Sequence, residues 1–361
     1  METMTFLRRL LALATLCAVP STGRACTAFG LGQGEEVVMA KSYDWDMGQG
    51  FLVVNKRGVA KESIPPRPGD ASARWVSRYG SVTFNQYGRE MPNGGMNEAG
   101  LAIEVLWLTQ SVFPPADGRP ALNELQAVQY GLDTCATFAE LSEAMARIRV
   151  SGIHGAVHYF ACDAAGDCGT LEYLGGKLVV TTGEELPVKA ITNNSCADSV
   201  LSLGALRASG RAAPGDSSSI ARYLRAATML EATRPGASLV RRSLEILASV
   251  SQGAYSKWNI VYELRGQKIH FRTWDEGELK DLDLSRLDFS CATPVSVLDV
   301  NAKLAGDVTG KLEAYSTLKN QTLIRTSLTL TGISLPEEKI RGLAEYPDRF
   351  PCVAAEGGAT P

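Results

Sequence analysis

Residues 26–43 read CTAFGLGQGEEVVMAKSY. Two β-rich runs, 26–31 (CTAFGL) and 36–43 (EVVMAKSY), flank Gly32-Gln33-Gly34. A glycine-bearing connection between two such runs predicts a β-hairpin. The hairpin sets Cys26 at the start of its first strand, close to the end of the second, where Lys41 and Asp44 stand. The residues before it have a different character. Residues 1–25 predict a secretory signal peptide, with Arg8-Arg9 as the positive region and 10–19 (LLALATLCAV) as the apolar one. That run is too short to span a hydrocarbon core of about 30 Å at about 1.5 Å per residue. Pro20 breaks the helix, and Gly23 and Ala25 put small residues at the −3 and −1 positions of a cut after Ala25. Residues 26–361 would then form a single domain headed by Cys26.

A cysteine in first position has three readings. It can be acylated as a lipoprotein, although Gly23-Arg24 suits that cut poorly. It can be an ordinary half-cystine. Or it can be a nucleophile whose own α-amine, with a pKa near 8, takes the thiol proton. The chain has eight cysteines, and Cys17 leaves with the leader. An odd number is left for an oxidising compartment, and setting Cys26 aside leaves six that can pair. Cys162 and Cys168 flank a turn-rich Asp-Ala-Ala-Gly-Asp loop and make the best local pair.

Composition narrows the classes. The 361 residues carry a net charge of −3 with 21% charged residues, which argues against bulk disorder, a long coiled coil and a general nucleic-acid binder. Outside the leader no stretch approaches a transmembrane span. The histidines are three: His154, His158 and His270. His154 and His158 face one side of a predicted strand, and two nitrogens without a third ligand do not make a metal site. Gly30-Leu31-Gly32 precedes no strand-to-helix transition, so it is not a phosphate cradle. No metal or cofactor is expected.

Further β patterns follow at 51–55 and 74–84, the latter broken by Tyr79-Gly80, and 101–108 (LAIEVLWL) suits a strand buried on both faces. Residues 121–130 and 137–147 read as amphipathic helices, the second with Thr137 and Glu140 in capping-box spacing. Strand character returns at 154–162, 170–174 and 177–182, and 188–192 leads into Asn193-Asn194. Helices are predicted at 199–208, 219–232 and 238–249, then a hairpin of 258–263 and 268–274. The stretch after Ser290 is mixed and the tail 354–361 frayed. This order of β-runs, helices and β-runs predicts stacked sheets flanked by helices rather than alternating βαβ units.

Several residues carry both a chemical and a plain reading. Beside a new α-amine, Asp44 could orient the ammonium and Lys41 could favour a thiolate; otherwise they are a turn aspartate and a surface lysine. The Asn193 amide could donate to an oxyanion or simply occupy a turn. Trp45 and Trp107 could line a pocket or pack in the core.

Cys26-Thr27, 40–45 (AKSYDW), 97–102 (NEAGLA), 105–108 (VLWL), 171–176 (LEYLGG), Thr192-Asn193-Asn194, Pro214-Gly215-Asp216 and Arg222-Tyr223 occur in that order. In this the chain resembles the choloylglycine hydrolase family of N-terminal-nucleophile hydrolases, which includes bile salt hydrolases and penicillin V acylases. The Asn-Glu-x-Gly-Leu and Leu-Trp-Leu stretches resemble a branch of secreted acylases of Gram-negative bacteria, which cleave penicillin V and in several cases long-chain N-acyl-homoserine lactones. The resemblance implies an α+β fold, a four-layer αββα sandwich. It implies Cys26 as nucleophile and its α-amine as base, Asp44 holding the amine, and Asn193 with the backbone N–H at Trp107 as the oxyanion hole. Arg222 would be the second basic residue. Lys41 stands where the family has an arginine, keeping the charge but losing the planar fork. Cys196 stands near a position where relatives have a proline.

The expectation is a secreted amidase, periplasmic in a Gram-negative bacterium, acting on a small N-acyl amide whose apolar acyl group lies between Trp45 and Trp107. Homo-oligomerisation is expected by analogy with relatives. The alternatives are a dipeptidase-like N-terminal-cysteine hydrolase, with a charged site for a free amino terminus, and a non-enzymatic disulfide-bonded or lipid-anchored binding protein.

Overall fold

A computed structural model describes residues 26–152 and 155–353. Residues 1–25, His154 and the tail 354–361 lie outside the described residues. The decisive hairpin forms as Thr27–Gln33 and Glu36–Asp44, with Gln33 opposite Glu36. Its connection is therefore a two-residue turn, in which Gly34 takes the φ of 74° that a side chain resists.

The described residues form two large sheets. The first has seven strands in the order Ala190–Ile191, Thr27–Gln33, Glu36–Asp44, Ser256–Glu263, Lys268–Thr273, Lys280–Asp283 and Gly306–Asp307. The second has nine: Lys177–Thr182, Cys168–Leu174, Val157–Cys162, Ala102–Trp107, Pro92–Asn97, Ser81–Asn85, Phe51–Asn55, Ser296–Asp299 and Glu313–Ala314. Apolar residues alternate along these strands and so point to both faces. Met39, Tyr43 and Ile260 of the first sheet meet Leu52, Phe84 and Leu106 of the second in one buried cluster. The outer face of the nine-stranded sheet packs Ile103, Val105 and Tyr159 against α1 (Gln126–Thr134) and α2 (Phe138–Arg147). The outer face of the seven-stranded sheet packs Val38, Ala40 and Val261 against α3 (Cys196–Ser209), α4 (Ser219–Glu231) and α5 (Leu239–Val250). The layers are thus helix, sheet, sheet, helix. Two further helices, α6 (Thr317–Leu330) and α7 (Glu337–Glu345), form a hairpin with its own small apolar cluster of Ile324, Leu328, Ile340 and Ala344.

Where the structure departs from the sequence reading, tertiary contacts decide. The helix expected at 121–130 begins at Gln126, because Asn123 Oδ1 accepts the Leu125 and Gln126 N–H groups and turns the chain there. Ala121–Leu122 form a short strand instead. Thr137 does cap α2, accepting the Glu140 N–H. The strand Pro92–Asn97 (PNGGMN) is absent from the prediction, since glycine and asparagine disfavour strands. Its glycines answer to crowding: a Cβ on Gly94 would sit 2.1 Å from the Glu104 carboxylate, and one on Gly95 2.4 Å from the Val82 carbonyl oxygen.

Cys162 and Cys168 are bridged, and so are Cys291 and Cys352. Cys26, Cys135 and Cys196 are free and buried. Among the described residues no helix is long and apolar enough to cross a membrane. Gly94→Ala is expected to destabilise the fold by about 1–3 kcal/mol through overpacking against Glu104, read as a lower urea midpoint at unchanged m-value.

Candidate active site

The hairpin register brings the ends of its two strands together. Thr27 pairs with Ser42, so the chain after Ser42 turns past Cys26, and the Cys26 thiol donates to the Asp44 backbone oxygen at 3.8 Å. The Asp44 carboxylate is fully buried and held on both oxygens. Ser42 Oγ donates to Oδ1 at 2.7 Å and Gln252 Nε2 to Oδ2 at 2.7 Å. Burial raises this carboxyl, while Ser256, Arg222, Ser42 and Gln252 act to lower it.

Arg222 reaches the same point from α4. Its Nη1 donates to the Cys26 carbonyl at 2.8 Å and to Thr27 Oγ1 at 2.7 Å, and lies 4.0 Å from Asp44 Oδ2. Its Nη2 donates to Asn193 Oδ1 at 3.2 Å. Asn193 follows the short strand Ala190–Ile191; its N–H donates to Ser219 Oγ at 2.8 Å and its Nδ2 to the Trp107 carbonyl at 2.7 Å. One planar guanidinium therefore joins Cys26, Thr27 and Asn193 beside Asp44.

Lys41 is turned into the space between the sheets. Its Nζ donates to Glu104 Oε2 at 2.7 Å and to the Val105 carbonyl, while Tyr262 OH donates to Glu104 Oε1 at 2.5 Å. The ammonium still acts on the sulfur. Burial pushes the Cys26 thiol up to about 11, Lys41 and Arg222 pull it down, and the Asp44 charge raises it.

No protein-family model matches this chain. It is 28% identical over 215 residues to a penicillin V acylase of Pectobacterium atrosepticum, a match covering 54% of this chain and 56% of the relative. The chain thus spans just over half the length of the curated relative it matches. Its structure is similar to that of penicillin V acylase from Agrobacterium tumefaciens, with a TM-score of 0.70 at 25% identity, covering 81% of this chain and 98% of that one. A variant of the conjugated bile acid hydrolase from Clostridium perfringens shares the fold, with a TM-score of 0.66 at 15% identity over 78% and 98% of the two chains. The relatives are those of the choloylglycine hydrolase family. Lys41 reaches across the sandwich and is anchored on Glu104.

Cys26, Asp44, Trp45 and Trp107 all line one cavity of about 370 Å³. The two indoles stand 5.9 Å apart, and Trp45 Nε1 donates to Tyr87 OH at 3.0 Å. Lys41 and Arg222 are fully buried behind this wall, while the half-buried Asn193 is held against it at the Trp107 carbonyl. The far wall was not foreseen from sequence: Ile324 and Leu328 of α6, Ile333 and Leu335 of the connection, and Leu343 of α7. The stretch after Ser290 reads only as mixed, and nothing local ties a C-terminal hairpin to residue 26. Gln252, Glu104 and Ser219 were missed as well. Of these only Glu104 left a signal, as a lone carboxylate inside an apolar strand, which requires a buried partner.

While residues preceding Cys26 remain attached, alkylation by iodoacetamide is expected to follow the thiol alone. The rate should be low at neutral pH and rise about tenfold per unit towards about 11. Asp44→Asn removes a charge that raises the thiol, so its rate–pH curve is expected at lower pH.

Proposed function

We propose that this chain is an exported amide hydrolase that begins, once its leader is removed after Ala25, with Cys26 as both nucleophile and base. The observation that carries this reading is a buried thiol lining an apolar cavity, backed by Arg222 and Asn193 in one hydrogen-bonded unit with the Asp44 carboxylate 4.0 Å from Arg222. A thiol raised to about 11 is almost entirely protonated at neutral pH. A primary amine on the same residue supplies what it lacks, a base within one residue's reach.

The steps follow from that pairing. The α-amine takes the thiol proton and sulfur attacks the amide carbonyl carbon, pushing the C=O electron pair onto oxygen. Asn193 uses one Nδ2 hydrogen on Trp107, which leaves the second for this oxyanion. The α-ammonium protonates the leaving amine as the C–N bond breaks, giving a thioester. Water, deprotonated by the same amine, attacks the thioester carbonyl; the C–S bond breaks, the acid leaves, and the ammonium returns its proton to the sulfur. Asp44, already fixed by Ser42 and Gln252, is the carboxylate that orients the ammonium.

The substrate class follows from the cavity walls. Val105, Leu106, Val157 and the α6–α7 side chains, with the two indoles, favour an apolar acyl group such as an aryloxyacetyl or a fatty acyl chain. This fits the name of the Pectobacterium atrosepticum relative, a penicillin V acylase. The carboxylates lining the cavity are Asp44, engaged as above, and Glu124, which accepts the Gly155 N–H at 2.9 Å. A dipeptidase would need a carboxylate directed at a free amino terminus. The leader and the two disulfides support a periplasmic location.

Mature protein starting at Cys26 is expected to hydrolyse N-phenoxyacetyl and longer N-acyl amides in preference to dipeptides. Cys26→Ser, and wild-type chain retaining Arg24-Ala25, are both expected to lose nearly all turnover; activity of the uncut chain would refute the mechanism. Leu328→Trp fills the far wall, and is expected to lower kcat/KM for long acyl chains about tenfold relative to phenoxyacetyl amides, checked across a chain-length series.

A further inference from the structure

The strand Val157–Cys162 sends Val157, Tyr159 and Ala161 towards α1 and α2, and Phe160 and Cys162 into the space between the sheets. His158 shares that inner face. An imidazole buried there must satisfy both nitrogens. Nδ1 lies 2.9 Å from Glu172 Oε1, on the neighbouring strand Cys168–Leu174, and Nε2 lies 2.8 Å from the Thr192 carbonyl oxygen. A carbonyl only accepts, so Nε2 is the donor to Thr192. Glu172 is itself fixed, accepting the Cys196 N–H at the start of α3 on Oε1 at 3.0 Å and on Oε2 at 3.2 Å.

We propose that His158 and Glu172 form a positioning pair for Asn193; the inference rests on the hydrolase reading above, in which Asn193 donates to the oxyanion. The Thr192 C=O and the Asn193 N–H belong to one planar peptide unit. His158 holds the oxygen of that plane from the nine-stranded sheet, and Ser219 Oγ holds its N–H from α4. Fixing both edges sets the direction in which the Asn193 side chain leaves the backbone. Trp107 and Arg222 then fix the amide itself. His158 is fully buried with both ring nitrogens engaged by Glu172 and Thr192, so it acts on the reaction through Thr192 and Asn193. Misplacing a reacting group by about 1 Å can lower a rate about 100-fold, which is the scale on which such a support matters.

The test is a double-mutant cycle on mature protein, read as kcat and KM for a chromogenic N-phenoxyacetyl anilide. Asn193→Ala is expected to lower kcat about 10²–10³-fold. His158→Leu is expected to lower kcat about 10–100-fold with KM within about twofold. The double variant is expected to match Asn193→Ala alone, because a support has no effect once the group it supports is gone. His158→Gln, whose amide can still donate to the Thr192 oxygen, is expected to recover most of kcat, and it carries the test if the leucine variant does not fold. Cys26 alkylation by iodoacetamide needs no oxyanion donor and should be unchanged in both His158 variants. Multiplied losses in the double variant, or slowed alkylation, would reduce His158 to a general packing role and overturn the proposal. Absence of wild-type turnover on any N-acyl amide would instead overturn the hydrolase reading and this inference with it.

Discussion

The site depends on a guanidinium placed where water cannot reach it. Arg222 donates to the Cys26 carbonyl, Thr27 Oγ1 and Asn193 Oδ1 and lies against Asp44. Burial lowers the arginine's proton affinity, and the Asp44 charge opposes that. An isolated buried charge is tolerated only when paired and hydrogen-bonded, and removing one partner of such a pair costs about 3–5 kcal/mol. The five residues come from four places remote in sequence: a strand start with Cys26 and Thr27, a strand end with Asp44, a turn with Asn193 and a helix with Arg222. The planar fork of arginine fixes their mutual angles as well as their distances, which a lysine at the same place would not do.

A second ionic contact spans the sandwich. Lys41 and Glu104 face each other from opposite sheets, with Tyr262 on the free oxygen of Glu104. Together with His158 and Glu172 this makes the sandwich interior polar on the side of the cavity, while the cluster around Phe84, Trp258 and Phe271 keeps the rest apolar. Apolar contact is non-directional and sets only that the two sheets adhere. The Lys41–Glu104 pair and the His158 hydrogen bond to Thr192 are directional and set their register, and hence the spacing between the wall carrying Asp44 and Trp45 and the wall carrying Val105 and Trp107.

How much of this the sequence disclosed depended on whether a residue's reason was local. The hairpin 26–43, the helix capped by Thr137 and the apolar strand ending at Trp107 each carry their own period or turn, and each formed. The strand Pro92–Asn97 does not: its glycines answer to Glu104 and Val82, which lie on neighbouring strands. The helix start at Gln126 was missed because the turn is made by one asparagine side chain rather than by a break in periodicity. In the site, Cys26, Asp44 and Asn193 were legible from position and order. Gln252 and Ser219 were not, because a polar residue near a helix end looks the same whether it faces solvent or a buried carboxylate.

The cavity takes its thiol from the start of the described chain and its far wall from α6 and α7 near the end. The segment beyond α7 is fastened to the body by the Cys291–Cys352 bridge and by the Val353 N–H on the Gly58 carbonyl. During synthesis the Cys26 thiol therefore emerges long before the surface that would enclose a ligand. A chain interrupted anywhere before α6 carries the thiol but lacks the wall that faces it. The far side of the binding space exists only in a chain that extends through α7.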